Sequence, residues 1–254
     1  MLVKPITVYE LSNPDYNDRC VAAIIVAAGN SSRMGETHKQ LLQLGGVPVI
    51  ARTVSAFQKT ENVHKIVIVA RQEDMSVFSD ICRKYKFDKV LAVVCGGSTR
   101  QQSVSNGVDA IGDSADYYAI HDGARPLITP ETIDMVVECS WKYGGAAAAV
   151  PVKDTIKISD DNRFILGTPD RSSLWNVQTP QVFERKIFEQ ALKNASVNGN
   201  DFTDDCQLVE AIGHKIYLVK SEYDNIKITT PEDIILAQRI LDIRGTDADH
   251  MLKI

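Results

Sequence analysis

The sequence predicts an α/β fold, a mostly parallel sheet with helices on both faces. Three observations carry that reading: short unbroken apolar runs of the kind seen in strands buried on both faces, helix-period segments between them, and an ordinary globular composition. The 254 residues are 44% apolar and 24% charged, with 15 Gly and 9 Pro. These values exclude disordered, collagenous and coiled-coil classes and allow one sizeable core.

Residues 1–20 read as a polar extension, because Lys4, Glu10, Asp15, Asp18 and Arg19 interrupt what a secretory signal would keep apolar. VAAIIVA (21–27) is the first strand and runs into the loop AGNSSRMG. In PVIARTVSAFQKT, Ile50, Val54 and Phe57 fall at i, i+4 and i+7, which predicts a helix opened by Pro48. A strand (65–70), a helix (77–85) and a strand (89–94) follow, the last closing on Cys95, Gly96 and Gly97. Next come a helix (103–110), a strand (116–122), a helix opened by Pro130 after Thr129, and a strand (145–152). Over 153–179 the pattern breaks into short alternating pieces around Asp160, Asp161 and Asn162, a β-ribbon too small to be stable alone. It is expected to lie on another part of the protein or on a partner subunit. Helices at 184–194 and 203–212, strands at 215–219 and 225–228, and a helix from Pro231 complete a single domain over 21–245, leaving a tail at 246–254.

A formal charge of −5, from 28 Lys and Arg against 33 Asp and Glu, gives no basic footprint for nucleic acid. No run approaches the ~18 apolar residues of a membrane span. The five cysteines form no CxxC pair and no zinc spacing, so a reduced, cytoplasmic chain is expected.

Right-handed βαβ units place a ligand crevice beyond the carboxyl ends of the strands. The first such loop, Ala27 to Gly35 with Lys39 beyond it, joins glycines to the cations Arg33 and Lys39, which suits phosphates. It matches neither the dinucleotide fingerprint nor the P-loop, and its glycines could equally serve only a tight turn. Gly96, Gly97, Ser98, Thr99 and Arg100, with Ser103, form a second glycine turn. His121 to Pro126 brings a carboxylate and a guanidinium to the same edge. Asp122 is either a Mg²⁺ ligand or a cap, and His121 reads as a hydrogen-bonded structural histidine. The residues alone thus point to a nucleotide-dependent transferase or a phosphate-ester enzyme.

The ordered blocks AAGNSSRMGETHKQ (27–40), GGSTRQQSV (96–104), HDGARP (121–126), VPVKDTIK (150–157), PDRSSLWNVQTPQVF (169–183), TDDCQLVEAIG (203–213) and DNIKITTPEDIILA (224–237) resemble the 2-C-methyl-D-erythritol 4-phosphate cytidylyltransferase family. The resemblance runs from about Val21 to Leu241. It implies a Rossmann-like nucleotidyltransferase fold, a homodimer made through a protruding β-arm, and transfer of CMP from CTP to the sugar-alcohol phosphate with Mg²⁺. By the same resemblance Arg33 and Lys39 hold the triphosphate, and Lys227 lies near the α-phosphate and the attacking phosphate. Arg171, with Thr155 beside it, reaches the sugar phosphate across the dimer. Ala27, Ala28, Gly97 and Ser103 surround the cytosine, with Gly29 and Ser98 in the same substrate-binding set. Asp122 and Gly123 contact the ribose, Arg125 and Thr179 face the sugar phosphate, and Asp122 and Asp224 contribute to the metal site.

His38 stands where the family usually has proline, Asn30 and Ser31 where a second glycine is common, Gly123 for alanine, and Cys206 for alanine. The sister family that makes CDP-ribitol shares the HDxxRP and TPQxF blocks. The Val-Ala-Ala-Gly opening and the intact run to DRSSLW favour methylerythritol phosphate. A silent sugar-nucleotide binder would have lost the cations that are present here, and a structural protein would have no reason to gather them.

Overall fold

The computed structural model describes residues 19–29, 38–198 and 202–245. A seven-stranded sheet runs through its centre. The first unit is β1 (Val21–Val26), α1 (Val49–Lys59) and β4 (Lys65–Ala70), with a hairpin of β2 (Gln43–Leu44) and β3 (Val47–Pro48) inserted before α1. Gly45 and Gly46, at φ 57° and 72°, make its two-residue turn, a geometry that needs residues free of a Cβ penalty.

There follow α2 (Met75–Lys84), β5 (Val90–Cys95), α3 (Arg100–Ile111), β6 (Tyr117–Asp122), α4 (Pro130–Tyr143) and β7 (Gly145–Pro151). After them come β8 (Ile158–Ser159), β9 (Ile165–Gly167), β10 (Trp175–Glu184), α5 (Arg185–Asn198), α6 (Asp205–Glu210), β11 (Tyr217–Lys220) and α7 (Pro231–Arg244). The sheet order is β11-β7-β10-β6-β1-β4-β5. Only β10 is antiparallel to its neighbours.

Strand residues alternate between two cores. Val21, Ala23 and Ile25 face Phe57 of α1, Phe78 of α2 and Val136 of α4. Ala22 and Ile24 face Val104 of α3, Phe188 of α5 and Leu208 of α6. Burial on both faces explains why the strands read as continuous apolar runs. On the second face α3 comes close to β1 because residue 107 has no side chain: a Cβ there would stand 2.6 Å from Ile24 Cγ2. A third cluster, of Leu44, Val49, Leu127, Ile228, Ala237 and Leu241, seats α7 against the hairpin and the loop after β6.

The expected βα alternation, helices on both faces and ribbon are all present, with two corrections. The ribbon is shorter than 153–179, since Trp175 onward belongs to β10, inserted between β6 and β7. Pro180, within β10, cannot donate to a ladder. It is accommodated because the pairing with β7 breaks register between Val177 and Gln181. Residues 225–228 form no strand; they run extended beside the loop after β6, with Ile228 N–H donating to the Ala124 carbonyl at 2.8 Å.

Candidate active site

The carboxyl ends of β1, β4, β5 and β6 open into a cleft of about 560 Å³ lined by Ala28, Gly29, Lys39, Arg71, Gly97, Ser98, Arg100, Ser103, Asp122 and Lys227, among others. A smaller lobe, about 180 Å³, adjoins it and is lined by Arg125, Gln178, Thr179, Gln181, Thr203 and Asp204. Arg100, Asp122 and Lys227 line both lobes and so mark their junction.

The floor of the first lobe is set by close backbone approach. A Cβ on Gly96 would stand 2.4 Å from the Ala28 side chain, so this glycine lets the β5–α3 turn close against the β1 loop. Ser103 is buried and its hydroxyl accepts from Gly97 N–H at 3.1 Å, shaping the turn. Thr99 caps α3 by accepting from Gln102 N–H at 3.0 Å, which aims the first turn of that helix, and Arg100 with it, at the junction. Ala27 is buried behind the lobe and packs on Gly123, where a Cβ would lie 3.0 Å from that of Ala27.

Asp122 is the electrostatic centre. Its side chain is 11% exposed and pairs with Lys227 Nζ at 2.8 Å, with Arg125 at 3.6 Å and Arg100 at 3.7 Å. Burial by itself would raise its pKa, but the attraction of Lys227, Arg100 and Arg125 outweighs burial and holds the carboxyl far below the usual range. Arg100 also pairs with the fully buried Asp205 at 2.7 Å. Burial raises the Asp205 pKa, opposed by Arg100.

Behind Asp122, Thr179 ties β10 to β6. Its hydroxyl accepts from Asp122 N–H at 3.1 Å and lies 3.0 Å from His121 Nδ1. With Nε2 against the Arg125 carbonyl at 3.3 Å, the consistent assignment is a neutral His121 that accepts from Thr179 and donates to Arg125. Burial lowers its pKa to about 3, so it stays neutral. Asn225 completes the frame: its amide donates to the Gln178 side chain and the Thr179 carbonyl, and its own carbonyl accepts from Arg125 at 2.8 Å.

Of the expected site residues, Ala28, Gly29, Lys39, Gly97, Ser98, Ser103, Asp122 and Lys227 line the first lobe, and Arg125 and Thr179 the second. Arg33 lies outside the described residues. Thr155 and Arg171 are exposed in the arm and line neither lobe; Arg171 donates to the Lys153 carbonyl at 2.9 Å. Asp224 lines neither lobe; its Oδ2 pairs with Arg244 at 2.5 Å, while its Oδ1 is buried without a hydrogen-bond partner among the described residues.

Among the described residues no cluster of three acidic, His or Cys side chains could cage a metal. One carboxylate is nonetheless what Mg²⁺ requires beside substrate phosphates. Asp122 fits, since among the described residues the cation nearest its Oδ1 is Arg100, at 3.7 Å, beyond hydrogen-bond reach. Residues that sequence reasoning gave no role are Arg100, Arg71, Thr203, Asp204 and Asp205. All but Arg71 fall within quoted blocks, and their pairing is invisible without the fold.

The mostly parallel sheet with a glycine-floored cleft, lined among the described residues by Lys39, Arg71, Arg100, Arg125 and Lys227 around the buried Asp122, defines a nucleotidyltransferase-type α/β enzyme. The sequence profile of 2-C-methyl-D-erythritol 4-phosphate cytidylyltransferase matches residues 21–243, and the chain belongs to that family. The cytidylyltransferase of Caldanaerobacter subterraneus is 44% identical over 223 residues, covering 87% of this chain and 98% of the relative. That of Clostridium acetobutylicum is 44% identical over 221 residues, covering 86% and 96%. Among solved structures, 4-diphosphocytidyl-2C-methyl-D-erythritol synthase from Anaerococcus prevotii superposes with a TM-score of 0.80 at 33% identity, covering 88% of this chain and 99% of that one. The Thermus thermophilus cytidylyltransferase gives 0.70 at 29% identity, covering 87% and 98%.

Proposed function

We propose that this chain transfers CMP from CTP to 2-C-methyl-D-erythritol 4-phosphate, releasing pyrophosphate in isoprenoid precursor synthesis. The observation that carries the reading is the junction: Lys227 and Asp122, 2.8 Å apart, stand where the two lobes meet. The first lobe takes CTP, its narrow backbone floor suiting a pyrimidine, with Lys39 toward the triphosphate. The second takes the sugar phosphate, with Arg125 beside it.

A phosphate oxygen of the acceptor attacks the α-phosphorus, the bond to the bridging oxygen breaks, and pyrophosphate leaves with that electron pair. The nucleophile is already anionic, so no strong base is required. Arg100 and Lys227 instead neutralise charge where the two phosphates crowd together. Asp122 Oδ1 and substrate phosphate oxygens would hold Mg²⁺, which when bound offsets triphosphate charge. Neutral His121 keeps the Asp122 loop in place and moves no proton.

Homodimerisation through the arm belongs to the same reading. Phe164, Ile165, Leu166 and Ile158 are all more than half exposed there, an apolar surface that calls for a cover. Arg171 then acts in the partner's site, which explains its distance from the cleft of its own chain. Five free cysteines suit a reducing cytoplasm. No helix among the described residues is long and apolar enough to cross a membrane.

Pyrophosphate release with CTP and Mg²⁺, comparing methylerythritol phosphate with ribitol 5-phosphate, tests the substrate. Preference for ribitol 5-phosphate overturns it. Mixing Arg171→Ala with Lys39→Ala protomers should restore part of the activity through heterodimers. No recovery despite subunit exchange would refute the shared site.

A further inference from the structure

We propose that Asp74 is a positioning residue that sets the triphosphate end of the cleft by clamping His38 and Arg71; this rests on the CTP reading above. Asp74 ends the 3₁₀ turn Gln72–Asp74 that runs straight into α2, and its backbone is already helical, at φ −93° and ψ −12°. Here its side chain makes no capping bond. The carboxylate, 3% exposed, turns away from the helix instead: Oδ1 meets His38 Nδ1 at 2.6 Å, and Oδ2 accepts from Arg71 Nε at 2.9 Å and faces Nη2 at 2.8 Å. Arg71 Nη2 also lies against His38 Nδ1, but that nitrogen can serve only one of the two neighbours, so Asp74 is the partner that both side chains share.

Both partners lead directly into the cleft. His38 precedes Lys39 and flanks the 3₁₀ turn Lys39–Leu41, whose Gln40 donates to the Ala27 carbonyl at the end of β1 at 3.1 Å. Arg71, with Gln72 and Glu73, lines the same lobe as Lys39. Asp74 therefore joins two segments 36 residues apart in sequence and holds Lys39 and the Arg71 guanidinium to one wall. A carboxylate this deeply buried is stable only with such partners. Residue 38, where this sequence departs from the family pattern, is thereby one arm of the clamp.

The two walls differ in what they should bind. The β- and γ-phosphates of CTP fall to Lys39 and Arg71, whereas CMP lacks them and rests on the cytosine floor and the junction. Calorimetric titration of the full chain with CTP and with CMP, each with Mg²⁺, separates the two. Asp74→Asn and His38→Ala should each weaken CTP binding about tenfold and leave CMP within about twofold. In turnover, KM for CTP should rise while kcat at saturating CTP stays within about threefold.

Melting curves run in parallel, and His38, one-third exposed, supplies a variant whose folding does not depend on filling the core. Equal losses for CTP and CMP, or variants that fail to fold, would assign the clamp a purely structural part and overturn the proposal. Variants that bind CTP as the wild type does would overturn it too, with the CTP reading intact. A wild-type chain that binds neither nucleotide overturns the CTP reading and the clamp with it.

Discussion

Replacing Thr179 with valine preserves shape and removes one hydroxyl. In the native fold that hydroxyl is buried, accepts from Asp122 N–H at 3.1 Å and satisfies His121 Nδ1 at 3.0 Å. Thr179→Val thus strands a buried donor and a buried acceptor at once. Leaving one such group unsatisfied costs about 1–3 kcal/mol, so the pair amounts to roughly 3 kcal/mol. At about 2–4 °C per kcal/mol for a chain of this size, the melting temperature should fall by about 6–12 °C. Activity should fall as well, because the Asp122 loop loses its tie to β10. Thr179→Ser keeps the hydroxyl and loses a methyl, about 0.8 kcal/mol, and should retain most of both. Differential scanning fluorimetry with pyrophosphate-release kinetics on both variants decides the matter. A Thr179→Val protein that melts like the wild type refutes the strut. If it also shows only a raised KM for the sugar phosphate, the hydroxyl contacts substrate instead.

Lys227→Ala should lower kcat about 100-fold or more while shifting stability by less than about 1 kcal/mol, since the side chain is 40% exposed and Asp122 keeps two other cations. Wild-type turnover would remove Lys227 from the mechanism. His121 ordinarily titrates near 6.5 but is held neutral down to about 3 by burial, so the unfolded chain binds one more proton between those values. Stability should therefore fall on acidification across that window, with a slope from this residue approaching about 1.4 kcal/mol per pH unit; urea unfolding at pH 7, 6, 5 and 4 would show it, and a flat profile would contradict it. Gly107→Ala should destabilise by about 2 kcal/mol despite alanine's better helix propensity, because the new Cβ meets Ile24 at 2.6 Å. A gain in denaturation midpoint would show that α3 moves freely.

The strands at 21–27, 65–70 and 116–122 were legible because each is buried on both faces and so has an apolar interior, with polar residues only at strand ends such as Lys65, His121 and Asp122. The β10 strand was not, because its signals conflict: Pro180 reads as a break, and only the interrupted register opposite β7 accommodates it. In the site, glycine turns and cations at strand ends were legible as loops. At Asp224, nothing local reveals that one carboxylate oxygen pairs with Arg244 of α7. Asp74 lies before the helix expected at 77–85, and nothing local shows that it serves the loop at His38, 36 residues away.

The sequence by itself determined the order of βα units, and with it the sheet edge where a ligand must sit, since periodicity and turn residues are local properties. It also determined the family, through seven ordered blocks. Only the tertiary structure decided which charges neutralise which. Arg100 meets Asp205, Lys227 meets Asp122, and Thr179 meets His121 across 58 residues of chain. Those pairings depend on burial, which removes water as the competing partner, and burial arises only when distant segments close on one another.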